Sequence, residues 1–394
     1  MNYQLSRRCF LQTSTAIALS QVLLGCSPAK PDIQILFLEN SIPLRLVKDF
    51  NNTVKASKIS FEPQTQIAQI LDRLLAWQRE KNSEEKAENI IEQIFSKSVI
   101  YPNLATLGDV WLSSAIERNV IQPLSVKNLA NWQKLPESWQ ELVRRNSQGN
   151  LAKNGEVYGA PYRWGSTVIA YRSDKLDKLN ISVKDWQDLW QPELRDRLSL
   201  LESPREVIGL TLKKLGYSYN TENLDSVNGL ETELLALHQQ AKLYSSDHYL
   251  EPLVLGDTWV TVGWSTDILP LLKRYPDIKL VVPQSGASLW ADIWVKPAAS
   301  PVPIAEAESM ASLVEEWIDY CWKPQAAKQI SLFTAGVSPI VATLEPEEIP
   351  KDLQDNIYLN SSVLNSAKSE FLLPLDAETE RQYRDLWLKI RQSG

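Results

Sequence analysis

The chain has 394 residues, 44% of them apolar and 23% charged, with 41 Lys and Arg against 48 Asp and Glu and a net charge of −7. That is the composition of an ordinary folded protein of two or three domains, and its acidic balance excludes a nucleic-acid binder, whose phosphate partners need a basic face. Three cysteines (Cys9, Cys26, Cys321) exclude a disulfide framework, and two histidines (His238, His248) argue against a His-built metal site, so no cofactor is expected.

Taken in chain order, Arg7-Arg8 precede Cys9-Phe10-Leu11 and a short apolar run from Ala16 to Leu24, too short for a permanent membrane span. The arginine pair followed by x-Phe-Leu resembles a twin-arginine export signal, and Leu23-Leu24-Gly25-Cys26 resembles a lipoprotein lipobox. The expectation is a signal peptide over residues 1–25, a lipid on Cys26, a tether over 26–31, and a periplasmic protein held at a membrane by its acyl chains. Ile33 to Leu38 then reads as a strand, Ile42 to Phe50 as a helix, Lys58 to Glu62 as a strand and Thr65 to Glu80 as an amphipathic helix. This β-α-β-α rhythm predicts a parallel or mixed sheet flanked by helices. Glu80–Glu92 is charge-rich, a solvated helix or connection.

Further strands are expected at Ala105–Asp109, Val157–Tyr171 (broken by Pro161), Leu198–Glu202, Thr258–Trp264, Ile278–Val282 and Trp290–Val295. Helices are expected at Val110–Val120, Arg205–Leu215, Asp225–Tyr244, Pro303–Phe333 and Ala377–Arg391. Cys321 falls on an apolar helix face and reads as packing. Neither histidine has a partner at ligand spacing, and no dinucleotide, phosphate-loop, metalloprotease or serine-hydrolase motif is present, so an enzyme is not expected. The 14 tryptophans stand out instead. On a strand, Trp290 and Asp292 share one face, and an indole beside a carboxylate suits an organic cation.

Several stretches together resemble the spermidine/putrescine-binding family of ABC-importer receptors. Glu202-Ser203-Pro204-Arg205-Glu206-Val207, continuing to Leu215-Gly216-Tyr217-Ser218-Tyr219-Asn220-Thr221, is similar to that family's "R-E-V … LGYS-x-N-T" segment. Pro161-Tyr162-Arg163-Trp164-Gly165-Ser166-Thr167 resembles its "PY-x-WG-x-T" crossover strand, and Trp186 to Pro192 its "W-x-D-L-W-x-P". Gly263-Trp264 and Leu289-Trp290-Ala291-Asp292 match its two ligand-facing tryptophans and one ligand-facing aspartate.

The resemblance implies a type II periplasmic binding protein: two α/β lobes, joined by two crossover strands near Tyr162–Ser166 and Trp290–Trp294, that close on a ligand and present it to a membrane permease. The expected division is residues 32–162 plus 292–335 for the first lobe and 163–291 plus 336–394 for the second, working as a monomer. The resemblance assigns amine contacts to Glu206 and Asp292 and aromatic walls to Trp264 and Trp290. Ser203 stands where the family has an acid, Leu38 and Ser41 stand where it has Trp and Tyr, Glu39 or Asn40 takes over part of that role, and Asp109 and Trp111 stand near another aromatic wall. Arg163 opposes a cationic ligand unless Asp292 or Glu206 neutralises it or it faces away. The leading expectation is therefore a polyamine or related organic cation. The alternatives are an anionic or zwitterionic metabolite held by Arg163, or a periplasmic enzyme or scaffold on the same fold.

Overall fold

The computed structural model describes residues 31–54, 57–84, 101–298, 307–354 and 368–393. The expected signal peptide, Cys26 with tether residues up to 30, and residues 85–92 of the charged stretch lie outside the described residues.

The apolar run Ile33–Leu38 forms a strand between two parallel neighbours, Ile59–Gln64 and Leu104–Gly108. The helices Leu44–Thr53 and Ile67–Glu84 make the crossovers, the first burying Leu46 and Phe50. A second group joins Val260–Trp264 to Leu198–Leu200 and Leu198–Leu200 to Ala241–Tyr244, all parallel. Two long strands, Ala160–Arg172 and Ser288–Pro297, run antiparallel to each other and serve both groups. Ser288–Pro297 pairs with the first group, Asp292 opposite Gly108, while Ala160–Arg172 pairs with the second, Trp264 opposite Thr167. The chain thus crosses twice between two α/β lobes built on one continuous sheet.

Pro161 does not break the first crossing strand. It lies where the register between the crossing strands shifts, between Asp292 and Ile293, and a bulge tolerates a residue with no N–H to give to the ladder. Its carbonyl accepts the Trp322 indole N–H at 2.6 Å.

Each lobe has its own apolar core. The first gathers Ile35, Leu107, Trp294, Trp317 and Trp322, with Tyr162 stacked on Trp294 at 4.5 Å; the second gathers Ile169, Trp186, Leu210, Leu237 and Trp387. Cys321 is buried in the first core, which pushes its thiol pKa up. Val337, Ile340, Val341 and Leu353 also pack there, whereas the sequence assigns all of 336–394 to the second lobe. The terminal helix Ala377–Arg391 packs on the second core through Tyr383, Trp387 and Ile390, its start capped by Asp376, which accepts the Thr379 N–H at 2.7 Å.

Two long helical readings divide. Asp225–Tyr244 becomes helix Leu230–Gln240 followed by the edge strand Ala241–Tyr244, and Pro303–Phe333 contains helices Ala307–Cys321 and Pro324–Phe333. Pro324 starts a new helix because its missing N–H is harmless in a first turn.

Candidate functional site

The carboxyl ends of the parallel strands converge on the crossing point, the position where open α/β sheets characteristically form a ligand crevice. On the first crossing strand, the first lobe's edge passes through Arg163, opposite Asp292 and Gly108, and the second lobe's edge through Thr167, opposite Trp264. Four residue steps of strand separate these rows, about 13 Å at roughly 3.3 Å per step. Midway, Trp290 lies opposite Gly165, and a Cβ on Gly165 would sit 2.4 Å from the Trp290 ring and 2.5 Å from Ser265 Oγ. The missing side chain at Gly165 therefore lets the indole lie on the crevice floor. At the rim, Gln66 Nε2 donates to Asp247 Oδ1 at 3.0 Å, so the lobes touch.

Arg163 and Asp292 form an ion pair on the first-lobe row. Arg163 Nε and Nη2 reach Asp292 Oδ2 at 2.7 and 2.6 Å, with both side chains buried. Nη1 donates to the Thr334 carbonyl at 3.2 Å and stands 3.5 Å from that of Asn40. Burial raises the Asp292 pKa and the guanidinium pulls it back. Of the two outcomes the sequence left for Arg163, neutralisation by an acid is the one observed. Next to this pair, Asp109 begins the turn Asp109–Trp111 at the end of Leu104–Gly108, and its Oδ1 accepts the Ala291 N–H at 2.9 Å. Burial lifts the Asp109 pKa to about 7, against the pull of that hydrogen bond and of Arg145, while Asp292 adds to the rise. Arg145 is itself lowered to about 10 by burial. Val110 and Trp111 are exposed on the same turn.

On the second-lobe row, Trp264 ends its strand and is half-buried, with Tyr249 edge-on at 6.0 Å. The Tyr249 hydroxyl accepts the Trp264 N–H at 3.2 Å and donates to Asp267 Oδ2 at 2.8 Å. Asp267 stands in the first turn of helix Ser265–Arg274, close enough to Arg163 to feel its charge. Tyr249 takes this position because Gly263 leaves room: a Cβ there would lie 1.9 Å from its ring. Gly263→Ala is expected to displace Tyr249, release Asp267 and destabilise the fold by about 1–3 kcal/mol in a urea titration.

Glu206 is buried behind this row, accepting from Ser288 Oγ at 2.6 Å, and burial raises its pKa. Ser203 caps helix Pro204–Lys214, its hydroxyl accepting the Glu206 N–H at 3.4 Å. Glu39 is exposed on the loop before Asn40, with its N–H on the Gln64 carbonyl at 2.8 Å. The crossing point thus brings Arg163, Asp292, Trp290 and Asp109 together and sets Trp264 on the facing row. Ser203 holds a helix end, and Glu206 ties that helix to the second crossing strand.

Asp267 and Tyr249 escaped the sequence reading. Asp267 carried a signal, an acid in the first helical turn three residues after a strand-ending tryptophan. Tyr249 carried none, because it arrives from a separate loop over Gly263. Among the described residues, no group of three or more His, Cys, Asp or Glu could hold a metal ion, and no helix is long and apolar enough to cross a membrane.

Residues 100–360 match the family described as bacterial extracellular solute-binding protein. The putrescine-binding periplasmic protein PotF of Escherichia coli K12 is 26% identical over 298 residues, covering 71% of this chain and 76% of that protein. The spermidine/putrescine-binding periplasmic protein of Salmonella typhimurium is 27% identical over 235 residues, 59% of this chain and 62% of that one. Among solved structures, the spermidine/putrescine ABC transporter substrate-binding protein PotD of Streptococcus pneumoniae superposes with a TM-score of 0.72 at 18% identity, over 91% of this chain and 98% of the other. The fold is thus that of the two-lobed periplasmic binding proteins, with the two crossings where the sequence expected them.

Proposed function

The chain belongs to the bacterial extracellular solute-binding proteins, and we propose that it is the receptor of an ABC importer for a polyamine or related organic cation, closing its lobes on the ligand and handing it to a membrane permease. The observation that carries this reading is the cation-seeking crevice: Trp290 on its floor, Trp264 at one edge, and Asp267 held in place by the Tyr249 hydroxyl. Indole faces suit methylene chains and ammonium groups, and a carboxylate fixed by a hydroxyl pairs with an amine without first losing side-chain freedom. The relatives named for putrescine and spermidine support the same ligand class.

The anionic reading loses ground on geometry. Arg163, its intended clasp, directs Nε, Nη1 and Nη2 at Asp292 and at first-lobe carbonyls. We further propose a first lobe of residues 32–164 plus 289–354 and a second of 165–288 plus 368–393, following the two cores, since Trp164, Leu289 and Ala291 pack in the first. Export through Arg7-Arg8, a lipid on Cys26 that keeps the receptor beside its permease, and a monomeric state complete the proposal.

The test is thermal melting with putrescine, spermidine, spermine, amino acids and organic acids. A ligand at a hundred times its Kd stabilises the native state by about 2.7 kcal/mol, a clear rise in Tm. Amines are expected to produce it and acids not. Asp267→Asn should weaken the amine by about tenfold, the loss of one charge-assisted contact. A response to acids alone would overturn the reading.

A further inference from the structure

We infer that Arg163 is a resident cation of the crevice, filling the carboxylate-and-indole position that a ligand ammonium would otherwise take, so that the receptor is selective for amines with few, closely spaced charges. This rests on the cation reading above and narrows it.

Trp290 and Asp292 do form a cation site, as their shared strand face suggests, but the cation in it belongs to the chain. The Arg163 guanidinium carbon lies 5.7 Å from the Trp290 ring centroid while Nε and Nη2 sit on Asp292 Oδ2. The surroundings are shaped for it. A Cβ on Gly336 would come within 2.5 Å of Arg163 Cγ, so only glycine there leaves room for the stem. The Thr334 and Asn40 carbonyls face Nη1 from two other segments, Asn40 with φ of 60° in the left-handed region. A carboxylate, two carbonyls and an indole face thus converge on one guanidinium whose side chain is 6% exposed.

Arginine does not give up its charge, so this position is permanently positive. A ligand ammonium brought to Asp292 would meet a like charge at contact distance. The first-lobe end of the floor is therefore closed to cations, and ligand charge is confined to the stretch served by Trp264 and Asp267. A monoamine or short diamine fits that stretch, whereas an extended tetraamine places an ammonium against Arg163.

The experiment is isothermal titration of the purified chain, Arg163→Met and Arg163→Lys with propylamine, putrescine, spermidine and spermine. The native chain is expected to bind spermine no more tightly than putrescine. Arg163→Met should raise the spermine-to-putrescine affinity ratio about tenfold or more, since Asp292 becomes available to an ammonium. Arg163→Lys, which keeps the charge, should retain the native order. Native silence toward spermine that turns into binding in Arg163→Met also supports the inference. Putrescine binding with a ratio unchanged in Arg163→Met overturns the resident cation and leaves the amine receptor standing. Silence of both chains toward every amine overturns the amine receptor and this inference with it. Should Arg163→Met fail to fold, the native order decides, and a tenfold native preference for spermine overturns the inference.

Discussion

Asp292→Asn is expected to lower the unfolding free energy by about 3–5 kcal/mol, because it leaves the Arg163 guanidinium buried without its counter-charge. The pair spans 129 residues of sequence and joins the two crossing strands at the first-lobe row, with both side chains almost out of water. An asparagine oxygen can still accept one hydrogen bond, but it cannot neutralise a charge that has no aqueous route out. The Thr334 and Asn40 carbonyls offer only dipoles in its place. Removing both partners should cost far less. Arg163→Met combined with Asp292→Asn eliminates the uncompensated charge, and the double variant is expected to recover most of the loss. Urea titrations of the two single variants and the double variant give the coupling directly. A loss below about 1 kcal/mol in Asp292→Asn would mean that the guanidinium swings out to water and that the ion pair does not clamp the crossing.

Much of the fold was legible because its signals are local. Ile33–Leu38 is a continuous apolar run, and Ala377–Arg391 follows Pro374 and the capping Asp376, so both elements match their expected bounds. The crossings were legible from the resemblance around Tyr162–Ser166 and Leu289–Asp292. What escaped was decided by pairing at a distance. The bulge at Asp292/Ile293, which keeps Pro161 inside a strand, is a property of two strands together and of neither alone. Ala241–Tyr244 is a strand only because Leu198–Leu200 lies beside it. At the site, the types of residue were readable and their partners were not. Asp292 reads from sequence as an acceptor for a ligand amine, and its Oδ2 is engaged twice by Arg163. Glu206 reads the same way and accepts from Ser288. The Tyr249–Asp267 contact depends on an absent side chain at Gly263, which no periodicity encodes.

Asp109→Asn is expected to flatten the pH dependence of stability between about pH 4 and 7. Burial lifts the native carboxyl from 3.8 to about 7, so across that interval the folded chain holds a proton that the unfolded chain has released. Stability therefore falls as pH rises through the window, by an amount on the order of 4 kcal/mol, and levels off above it. Below about pH 4 the carboxyl is protonated in both states and the penalty is absent. Asparagine stays neutral throughout and keeps an oxygen for the Ala291 N–H. The variant should match the native chain near pH 4 and exceed it near pH 8, the gap opening in between. Arg145 offsets part of the gap, since its charge favours the ionised form, while Asp292 widens it. Urea titrations at pH 4.5, 6 and 8 measure the effect, and parallel curves for the two chains would refute it.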